Sequence, residues 1–509
     1  MQKAKFLWRG IIVVLCLSLL MGAVFTGCVK DTAKESGTPD QTGETKPEPL
    51  DISMTMILYP IAPPDESNII IKKVEEYTNT KLNINWIPDA AYNDRITTSL
   101  AAMDLPEVLL VRSDKEPVIL NALRSDVFWE IGSYIKEFSN LENKLSKIVF
   151  NNISVEGKIY GLYRTRDLAR RGLIYRKDYA DAIGLEEPKT TDDLYPWLKT
   201  LAESDPDGNK QNDTYALEMN NQNVQYATTA LSMWYGAPNT WGLKDGKVVN
   251  RFTTAEYLES MKVLRKLYSE NLINHDFPVN AKPDYLVKGT ACAVFTVIGN
   301  AQNFQRDVQK LDPNATFSPI GFLQGTKGTF VPAENGYNGQ FLFPKKTVKN
   351  EEHLKKLLGY FDKLLDQEII DLFKWGIKDL HYSLVDGVPQ RSQEQVALFE
   401  KDASGMDQLA IDTNIYPTPG VLNPLEKKIL DQKNEMMKHT VANICVPYTS
   451  ETNLERGAEL DKIINDTIIK FVIGEIDEEG WNKEIEGWLK AGGEKVQEEY
   501  TLEYLNAHK

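Results

Sequence analysis

The chain has 509 residues, of which 42% are hydrophobic and 26% charged, and its formal net charge is −15. A chain of this length exceeds what one hydrophobic core normally supports, so the sequence predicts two or three soluble globular domains. The acidic balance repels phosphate backbones and anionic headgroups, which argues against a nucleic acid partner.

The N-terminus predicts export and lipid anchoring. Three cations precede the apolar run IIVVLCLSLLMGAVF, which is too short for a lasting membrane span and typical of a secretory signal. The run ends in FTGC, which resembles the bacterial lipoprotein cleavage site, so we expect residues 1–27 to be removed and Cys28 to carry the lipid. Phe25 departs from the usual leucine, and a conventional secretory signal cut nearby is the alternative.

Residues 28–50 form a polar segment that follows the signal. VKDTAKESGTPDQTGETKPEPL has almost no apolar content, so it cannot bury enough surface to fold, and it predicts a flexible tether. No later stretch of the sequence is long and apolar enough to span a bilayer. We therefore expect the folded body outside the cytoplasm, held at the outer face of the cell membrane by its lipid alone.

The first part of the folded body alternates strands and helices. DISMTMILYP predicts a strand, NIIIKKVEEYTNT a helix with Ile70, Val74 and Tyr77 on one stripe, and KLNINWIP a second strand. A helix in DRITTSLAAMDLP is followed by the apolar strand VLLV. This alternation is typical of a mainly parallel sheet covered by helices.

The same pattern continues along the rest of the chain. GKIYGLY and RRGLIYR predict strands, and TTDDLYPWLKTLAESD predicts a helix that Thr191 caps. A helix in AEYLESMKVLRKLYSE, a buried strand in ACAVFTVIG and a strand in YNGQFLFP follow. HLKKLLGYFDKLL, QEIIDLFKWG and the last 60 residues have the spacing of amphipathic helices.

Four segments carry a resemblance to a known family: MDLPEVLLV, GKIYGLY with RGLIYRKDYADAIGLEEPKTTDDL, YGAPNTWGLKDGKVV, and WGIKDLHYSLVDGVP. On these the chain resembles extracellular solute-binding protein family 1, the carbohydrate-type substrate-binding lipoproteins of ABC importers. It is similar in particular to those of Gram-positive bacteria and to alginate-oligosaccharide binders. The resemblance covers most of the chain after the tether.

The resemblance implies an α/β fold of the type II periplasmic-binding-protein kind, in which a multi-strand hinge joins two α/β lobes around a ligand cleft. Mapped on the segments above, lobe 1 comprises residues 51–168 and 336–380, and lobe 2 comprises residues 169–335 and 381–509. The implied function is to capture a solute, an oligosaccharide for this family type, and to deliver it to ABC permease subunits by lobe closure. A monomer is the expected state.

One loop, DPDGNKQNDTY, predicts a structural calcium site. Oxygen donors recur at alternate positions as in an EF-hand, with the backbone carbonyl of the fourth residue included: Asp205, Asp207, Asn209, Gln211 and Asp213. Ala216 stands where an EF-hand has its bidentate glutamate, and either Thr214 or Glu218 would complete the shell. The alternative is an Asx-rich surface turn without metal.

Sugar sites combine flat aromatic rings with side chains that exchange hydrogen bonds, and several residues in loop-like contexts suit this role. The candidate ligand-binding residues are Trp234, Trp241, Tyr337, Trp375, Asn335, Arg166 and Tyr382. Core packing is the competing interpretation for each tryptophan.

A basic cluster stands out against the acidic total. Arg164, Arg166, Arg170 and Arg171 would suit a uronic or otherwise anionic sugar, and a solvated charged run is the alternative interpretation.

The sequence has no motif of acyl, zinc or nucleotide chemistry, so we expect no enzyme. A lipid-anchored glycoside-acting enzyme remains a rival, because the separation of two catalytic carboxylates is a property of space. A peptide or signal binder that serves a sensor kinase is the nearer alternative. Cys292 and Cys445 either pair or remain two buried thiols.

Overall fold

The structure is a computed structural model that describes residues 48–59, 62–65, 67–221, 224–412 and 417–509. The predicted signal, the lipid-bearing Cys28 and nearly all of the tether lie outside these residues. Within the described ranges, we find no helix with the length and hydrophobicity that crossing a bilayer requires.

Fifteen strands occur in the described part of the chain: β1 Leu50–Leu58, β2 Thr80–Pro88, β3 Val108–Val111, β4 Gly161–Thr165, β5 Arg171–Arg176, β6 Tyr215–Glu218, β7 Trp241–Lys244, β8 Lys247–Asn250, β9 Ala291–Val297, β10 Phe317–Ile320, β11 Val331–Pro332, β12 Tyr337–Leu342, β13 Ser383–Val385, β14 Val388–Gln390 and β15 Thr440–Val441.

Eighteen α-helices occur in the same ranges: α1 Ile69–Thr78, α2 Tyr92–Ala102, α3 Pro117–Arg124, α4 Ser139–Lys144, α5 Lys147–Asn152, α6 Lys177–Ala182, α7 Thr191–Glu203, α8 Val224–Trp234, α9 Ala255–Ser269, α10 Tyr285–Lys288, α11 Ala301–Val308, α12 Glu351–Lys363, α13 Gln367–Trp375, α14 Gln393–Asp402, α15 Pro424–Met437, α16 Glu451–Val472, α17 Glu478–Trp488 and α18 Glu494–Ala507.

Lobe 1 is built on a five-stranded sheet with the order β2-β1-β3-β12-β4. Strand β1 pairs in parallel with β2 and β3, whereas β12 is antiparallel to β3 and β4. The predicted succession of strand, helix and strand at the start of the body is confirmed. Asn68 begins α1 by accepting hydrogen bonds from two backbone N–H groups, and Asn79 ends it in the left-handed region.

The core of lobe 1 lies around this sheet and includes Ile52, Leu109 and Phe341. Residues 406–411, which the sequence assigns to lobe 2, also pack in this core through Met406, Leu409, Ala410 and Ile411. Their placement follows from a backbone hydrogen bond of 2.8 Å from Thr165 N–H to Ile411 C=O, which attaches the segment beside β4. The remaining lobe boundaries stay a prediction.

Lobe 2 is built on a four-stranded sheet with the order β10-β5-β9-β6, in which β9 pairs antiparallel with β5 and parallel with β6. Its core includes residues of the C-terminal helices, among them Trp481 and Trp488. Cys292 and Cys445 are both free and buried, so the sequence alternative of two buried thiols is the one observed.

The N-cap residue of helix α7 lies one position earlier in the chain than the sequence analysis predicts. Thr190, and not Thr191, is the N-cap: its side chain accepts from the Asp193 N–H while the Asp193 carboxylate accepts from the Thr190 N–H. Thr191 is buried instead. The reason is the capping box, which requires an acidic or amide side chain three residues after the N-cap. Asp193 stands three residues after Thr190, whereas Leu194 stands three residues after Thr191.

The chain passes between the two cores at residues 165–171 and at residues 332–337, and a third passage includes the described residues 417–424, which precede Leu425 of α15. The first two passages are joined by backbone hydrogen bonds from Arg166 N–H to Gly336 C=O at 3.0 Å and from Glu334 N–H to Leu168 C=O at 2.8 Å. The two lobes are thus connected by a hinge of several chain passages, which run between the ends of β4 and β5 and of β11 and β12.

Candidate ligand-binding site

A polar cavity of about 260 Å³ lies beside the hinge. Its walls come from the first two passages, from lobe 2 and from the start of β12 in lobe 1. The lining residues are Arg166, Arg171, Gln225, Thr229, Asn239, Thr240, Arg251, Pro332, Ala333, Glu334, Asn335, Tyr337 and Asn443. We refer to it as the inter-lobe cavity.

Three arginines give this cavity its electrostatic character. Arg171 donates from Nε to Glu334, and its guanidinium lies over the Tyr226 ring at 4.3 Å from the ring centroid. Burial lowers the pKa of Arg166, and the neighbouring Arg170 guanidinium adds to this lowering. The lining of the cavity thus carries three arginines and one glutamate, in a protein that is acidic overall.

The loop between α8 and β7 reaches the cavity through its polar residues. Asn239 is buried and donates from Nδ2 to the carbonyl oxygens of Ala333 at 2.7 Å and Val441 at 2.9 Å. The next residue, Thr240, has a φ of +61°, which is costly for a β-branched side chain. The sequence predicts that this loop carries cleft residues, and its amide and hydroxyl groups are the ones that line the cavity.

The tryptophans on either side of that loop are buried and do not line the cavity. Trp234 is 0% exposed and Trp241 8% exposed, and both belong to the lobe 2 core. Trp241 packs against Trp488 and Tyr500, with ring centroids 6.4 and 5.1 Å apart. Both rings thus pack in the core, as the competing interpretation has it, and as ligand contacts they remain predictions.

Trp375 and Tyr382 lie together in lobe 1, with ring centroids 6.2 Å apart. The Trp375 indole donates to the carbonyl oxygen of Thr418 at 2.8 Å, and the Arg391 guanidinium lies 4.9 Å from its ring centroid. Trp375 is thus covered by the third passage and by Arg391. Both aromatic residues remain predictions as ligand contacts.

The predicted residues that do meet in the inter-lobe cavity are Arg166, Asn335 and Tyr337. Tyr337 comes from β12, the strand that re-enters lobe 1, as the sequence suggests. Burial raises the pKa of the Tyr337 phenol, and the nearby Asp114 carboxylate adds to the rise. Burial also raises the pKa of Asp114 to about 6, against the attraction of Lys115, whose Nζ lies 3.6 Å from the carboxylate.

The basic cluster of the sequence is divided by the fold. Arg164 is buried in lobe 1, where it donates to the Gln408 side chain at 2.9 Å and to the carbonyl oxygens of Asp407 and Asn338 at 2.8 and 3.1 Å. Its role is structural. Arg166 and Arg171, in contrast, both line the cavity.

Arg251, Thr229 and Asn443 line the same cavity and were not among the sequence candidates. Arg251 lies in a helical turn between β8 and α9, in a segment without any motif. Packing of α8 against this turn brings it to the cavity, since its Nη2 donates to Thr229 Oγ1 at 2.9 Å. No local pattern in the sequence carries that information.

A second cavity of about 300 Å³ lies on the same hinge and shares Arg166 with the first. It lies between α5 of lobe 1 and α15 of lobe 2, where Val149, Leu430 and Met437 contribute apolar surface. Lys433 of α15 forms an ion pair with Asp167 of the first passage. Contacts between the lobes therefore flank the hinge on more than one element.

The predicted calcium loop is rich in oxygen. The Asn209 amide nitrogen lies 2.9 Å from Asp207 Oδ2 and 3.1 Å from Asp213 Oδ1, so two carboxylates face one point. Burial raises the pKa of Asp207, and the charge of Asp213 adds to the rise. Among the described residues, no three acidic, histidine or cysteine side chains surround a common point. The donor chemistry fits a hard cation, whereas the shell is not closed.

The two candidates for the last ligand of that loop differ in their hydrogen bonding. The Glu218 carboxylate accepts from Leu286 N–H at 2.8 Å and is committed there. Thr214 Oγ1 is buried and has no hydrogen-bond partner among the described residues.

The two lobes, the hinge and the cavity between them define a protein that binds a solute. Residues 64–361 match the family model described as bacterial extracellular solute-binding protein. This match spans more than half of the chain, and the chain belongs to that family. The predicted family is confirmed, and because its members are binding proteins, so is the expectation that the chain is not an enzyme.

Two similar proteins come from Bacillus subtilis (strain 168). The chain is 35% identical to the polygalacturonan/rhamnogalacturonan-binding protein YtcQ over 509 residues, which cover 98% of this chain and 99% of YtcQ. It is 34% identical to lipoprotein LipO over 464 residues, which cover 89% of this chain and 92% of LipO.

A similar solved structure is that of the alginate-binding protein AlgQ2 without calcium ion. The TM-score is 0.64 at 15% sequence identity, and the match covers 91% of this chain and 100% of AlgQ2. At this identity the likeness concerns the fold. The predicted two-lobed α/β class is thereby confirmed.

Proposed function

We propose that the protein is a lipid-anchored receptor that captures an oligosaccharide between its lobes and delivers it, chemically unaltered, to an ABC importer. The observation that carries this proposal is the inter-lobe cavity, whose walls come from both lobes and from the passages that join them. A ligand that contacts both walls binds the closed arrangement better than the open one and shifts the population toward it. A permease can distinguish those two arrangements.

The chemistry of the cavity favours a sugar. Asparagine, glutamine, threonine and arginine side chains offer many directional hydrogen bonds to hydroxyl groups, and the Tyr337 ring offers a flat apolar face. YtcQ is named for binding polygalacturonan and rhamnogalacturonan, and AlgQ2 for binding alginate. These relatives favour a polysaccharide-derived ligand over a peptide.

Calorimetric titration of the full chain with neutral oligosaccharides, acidic oligosaccharides and peptides tests the ligand class, with small-angle scattering before and after addition. We expect binding of a sugar, a smaller radius of gyration and a scattering mass of one chain. Asn335→Ala should weaken binding, because Asn335 is exposed in the cavity, while the exposed Asn314→Ala serves as the matched control. Peptide binding alone, or release of shortened sugar, contradicts the proposal.

Anchoring through Cys28 is the second part of the proposal, and LipO, a similar lipoprotein, supports it. Expression with an alkyne-labelled fatty acid should label the full chain, and Cys28→Ala should abolish the label and release the protein into the medium. Cys16→Ala is the matched control in the same segment. Labelling that survives Cys28→Ala would contradict the assignment.

A structural calcium ion in the loop 205–213 is the third part. Asp205, Asp207, Asn209 and Asp213 would hold the ion with the Gln211 carbonyl, and Thr214 would complete the shell. AlgQ2 solved without calcium ion points to the same cation. We expect calcium to raise the Tm of the protein and Asp207→Asn to remove that rise, whereas the exposed Asp386→Asn leaves it unchanged. An equal rise in Tm for both variants contradicts the site.

A further inference from the structure

One guanidinium in the inter-lobe cavity lacks a partner for part of its hydrogen-bonding capacity. Arg251 Nη1 is buried and has no hydrogen-bond partner among the described residues, although Nη2 donates to Thr229 at 2.9 Å. Leaving a buried charged N–H group without an acceptor is costly, so native proteins satisfy nearly all such groups. An acceptor from outside the chain would remove this cost.

The charges around Arg251 compensate its positive charge only in part. Burial lowers the pKa of Arg251, and the like charge of Arg171 acts in the same direction. The Asp461 carboxylate attracts the Arg251 guanidinium from a distance, and the two form no ion pair within 4.0 Å in the described part of the chain. Glu334, the acidic residue of the cavity lining, is already engaged by Arg171. A negative charge entering the cavity is therefore attracted to Arg251, whose positive charge Asp461 offsets only in part.

Arg251 is also held in place before any ligand arrives. Its backbone N–H donates to the Thr240 carbonyl at 2.8 Å, and its guanidinium lies 5.6 Å from the Tyr257 ring centroid. The preceding Asn250 N–H donates to Gln497 of α18 at 3.0 Å. A group fixed by its neighbours loses little conformational entropy on binding, which increases its contribution to affinity and selectivity.

We propose that Arg251 is the specificity-determining residue of this site and binds the carboxylate of an acidic sugar, a uronate, with Arg171 as its electrostatic neighbour. This inference rests on the proposed function and names the substrate class of the same site. A hydroxyl group would satisfy the free N–H, but only a carboxylate also neutralises the excess charge. A planar guanidinium and a carboxylate match in geometry, and such charged hydrogen bonds are about twice as strong as neutral ones.

The test compares trigalacturonate with its methyl ester, which removes the negative charge and keeps the sugar skeleton. Calorimetry on the full chain should give at least ten-fold tighter binding for the acid. Arg251→Gln should abolish this preference. It should weaken the binding of the acid ten- to hundred-fold and the binding of the ester by less than three-fold. Arg306→Gln, on an exposed surface of lobe 2, is the control and should change neither.

Arg251→Lys keeps the charge and should retain part of the preference, which provides a second variant if the glutamine protein is unstable. An unchanged preference in both variants, or equal losses for acid and ester, overturns the inference. If the wild-type protein binds neutral sugars but neither trigalacturonate nor its methyl ester, the inference is overturned and the proposed function stands. Wild-type protein that binds no sugar of the whole panel overturns the proposed function itself.

Discussion

The Asn239 amide donates to the Ala333 carbonyl at 2.7 Å and thereby attaches the second hinge passage to lobe 2. The same nitrogen donates to Val441 of β15, which pairs with β11 just before this passage. One buried side chain thus fixes two backbone segments at the point where the chain leaves lobe 2.

Asn239→Ala should destabilise the protein by about 1–3 kcal/mol, because two carbonyl groups lose their donor at a buried position. Urea unfolding measures this loss as a lower midpoint. Asn143→Ala, which removes an exposed amide bonded within α4, is the matched control and should cost less than about 0.5 kcal/mol. Equal losses of stability in both variants would show that the Asn239 hydrogen bonds at the hinge add nothing to the free energy of unfolding.

Trp234→Ala should reduce stability strongly and leave the sugar affinity of the remaining folded protein unchanged. The residue is fully buried, and removing a core tryptophan costs about 3–5 kcal/mol. Thermal unfolding gives the stability and calorimetry below the Tm gives the affinity. Leu243→Ala, at a half-exposed position of the same lobe, should leave the Tm within about 1 °C. A selective loss of affinity would return Trp234 to the cleft.

Asp114 should make the protein less stable as the pH rises from about 4 to about 7. Burial raises its folded pKa to about 6, above the usual value of about 3.9 in an unfolded chain. Between those values the folded state binds more protons, so the free energy of unfolding falls with rising pH, by up to about 3 kcal/mol. Below pH 4 both states are protonated and this loss disappears.

Asp114→Asn should therefore stabilise the protein relative to wild type by about 2–3 kcal/mol more at pH 7 than at pH 4. Urea unfolding at the two pH values measures the difference. The exposed Asp104→Asn controls for the loss of one negative charge. A difference between wild type and Asp114→Asn that does not vary with pH would contradict the raised pKa.

Thr190→Ala should lower stability by about 1 kcal/mol, because the α7 capping box loses its hydroxyl. Thr190→Ser keeps the hydroxyl and is the matched control, with an expected change below about 0.5 kcal/mol. Chemical denaturation resolves both values. An alanine variant as stable as the serine variant would show that the cap is not used.

The sequence predicted the regular elements well where their signal is local. Strand β1, helix α1 and strand β2 follow from hydrophobic period and from the polar residues that end each element, and all of them form. The resemblance of four segments to a family of binding proteins was sufficient for the two-lobed class. Thr190 and Thr191 show the limit of such reasoning, because a shift of one residue decides which hydroxyl caps and which is buried.

The sequence could not determine which residues form the site. Arg164 and Arg166 are two positions apart in β4 and its continuation, yet one is buried in lobe 1 and the other lines the cavity. Trp234 and Asn239 are five positions apart, and only the amide reaches the cavity. The aromatic residues that marked this loop lie in the core, and its amide lines the cavity, because burial depends on which face another element covers.

The sequence by itself determined the secondary structure elements, the family and the acidic character of this protein, since these depend on composition and on neighbours along the chain. The tertiary structure alone decided that Arg166, Arg171 and Arg251 meet in one cavity. The physical reason is distance along the chain: α8, the β8–α9 turn and the hinge are far apart in sequence. They are brought together by the packing of the lobe 2 core as a whole and by the hydrogen bonds of Asn239.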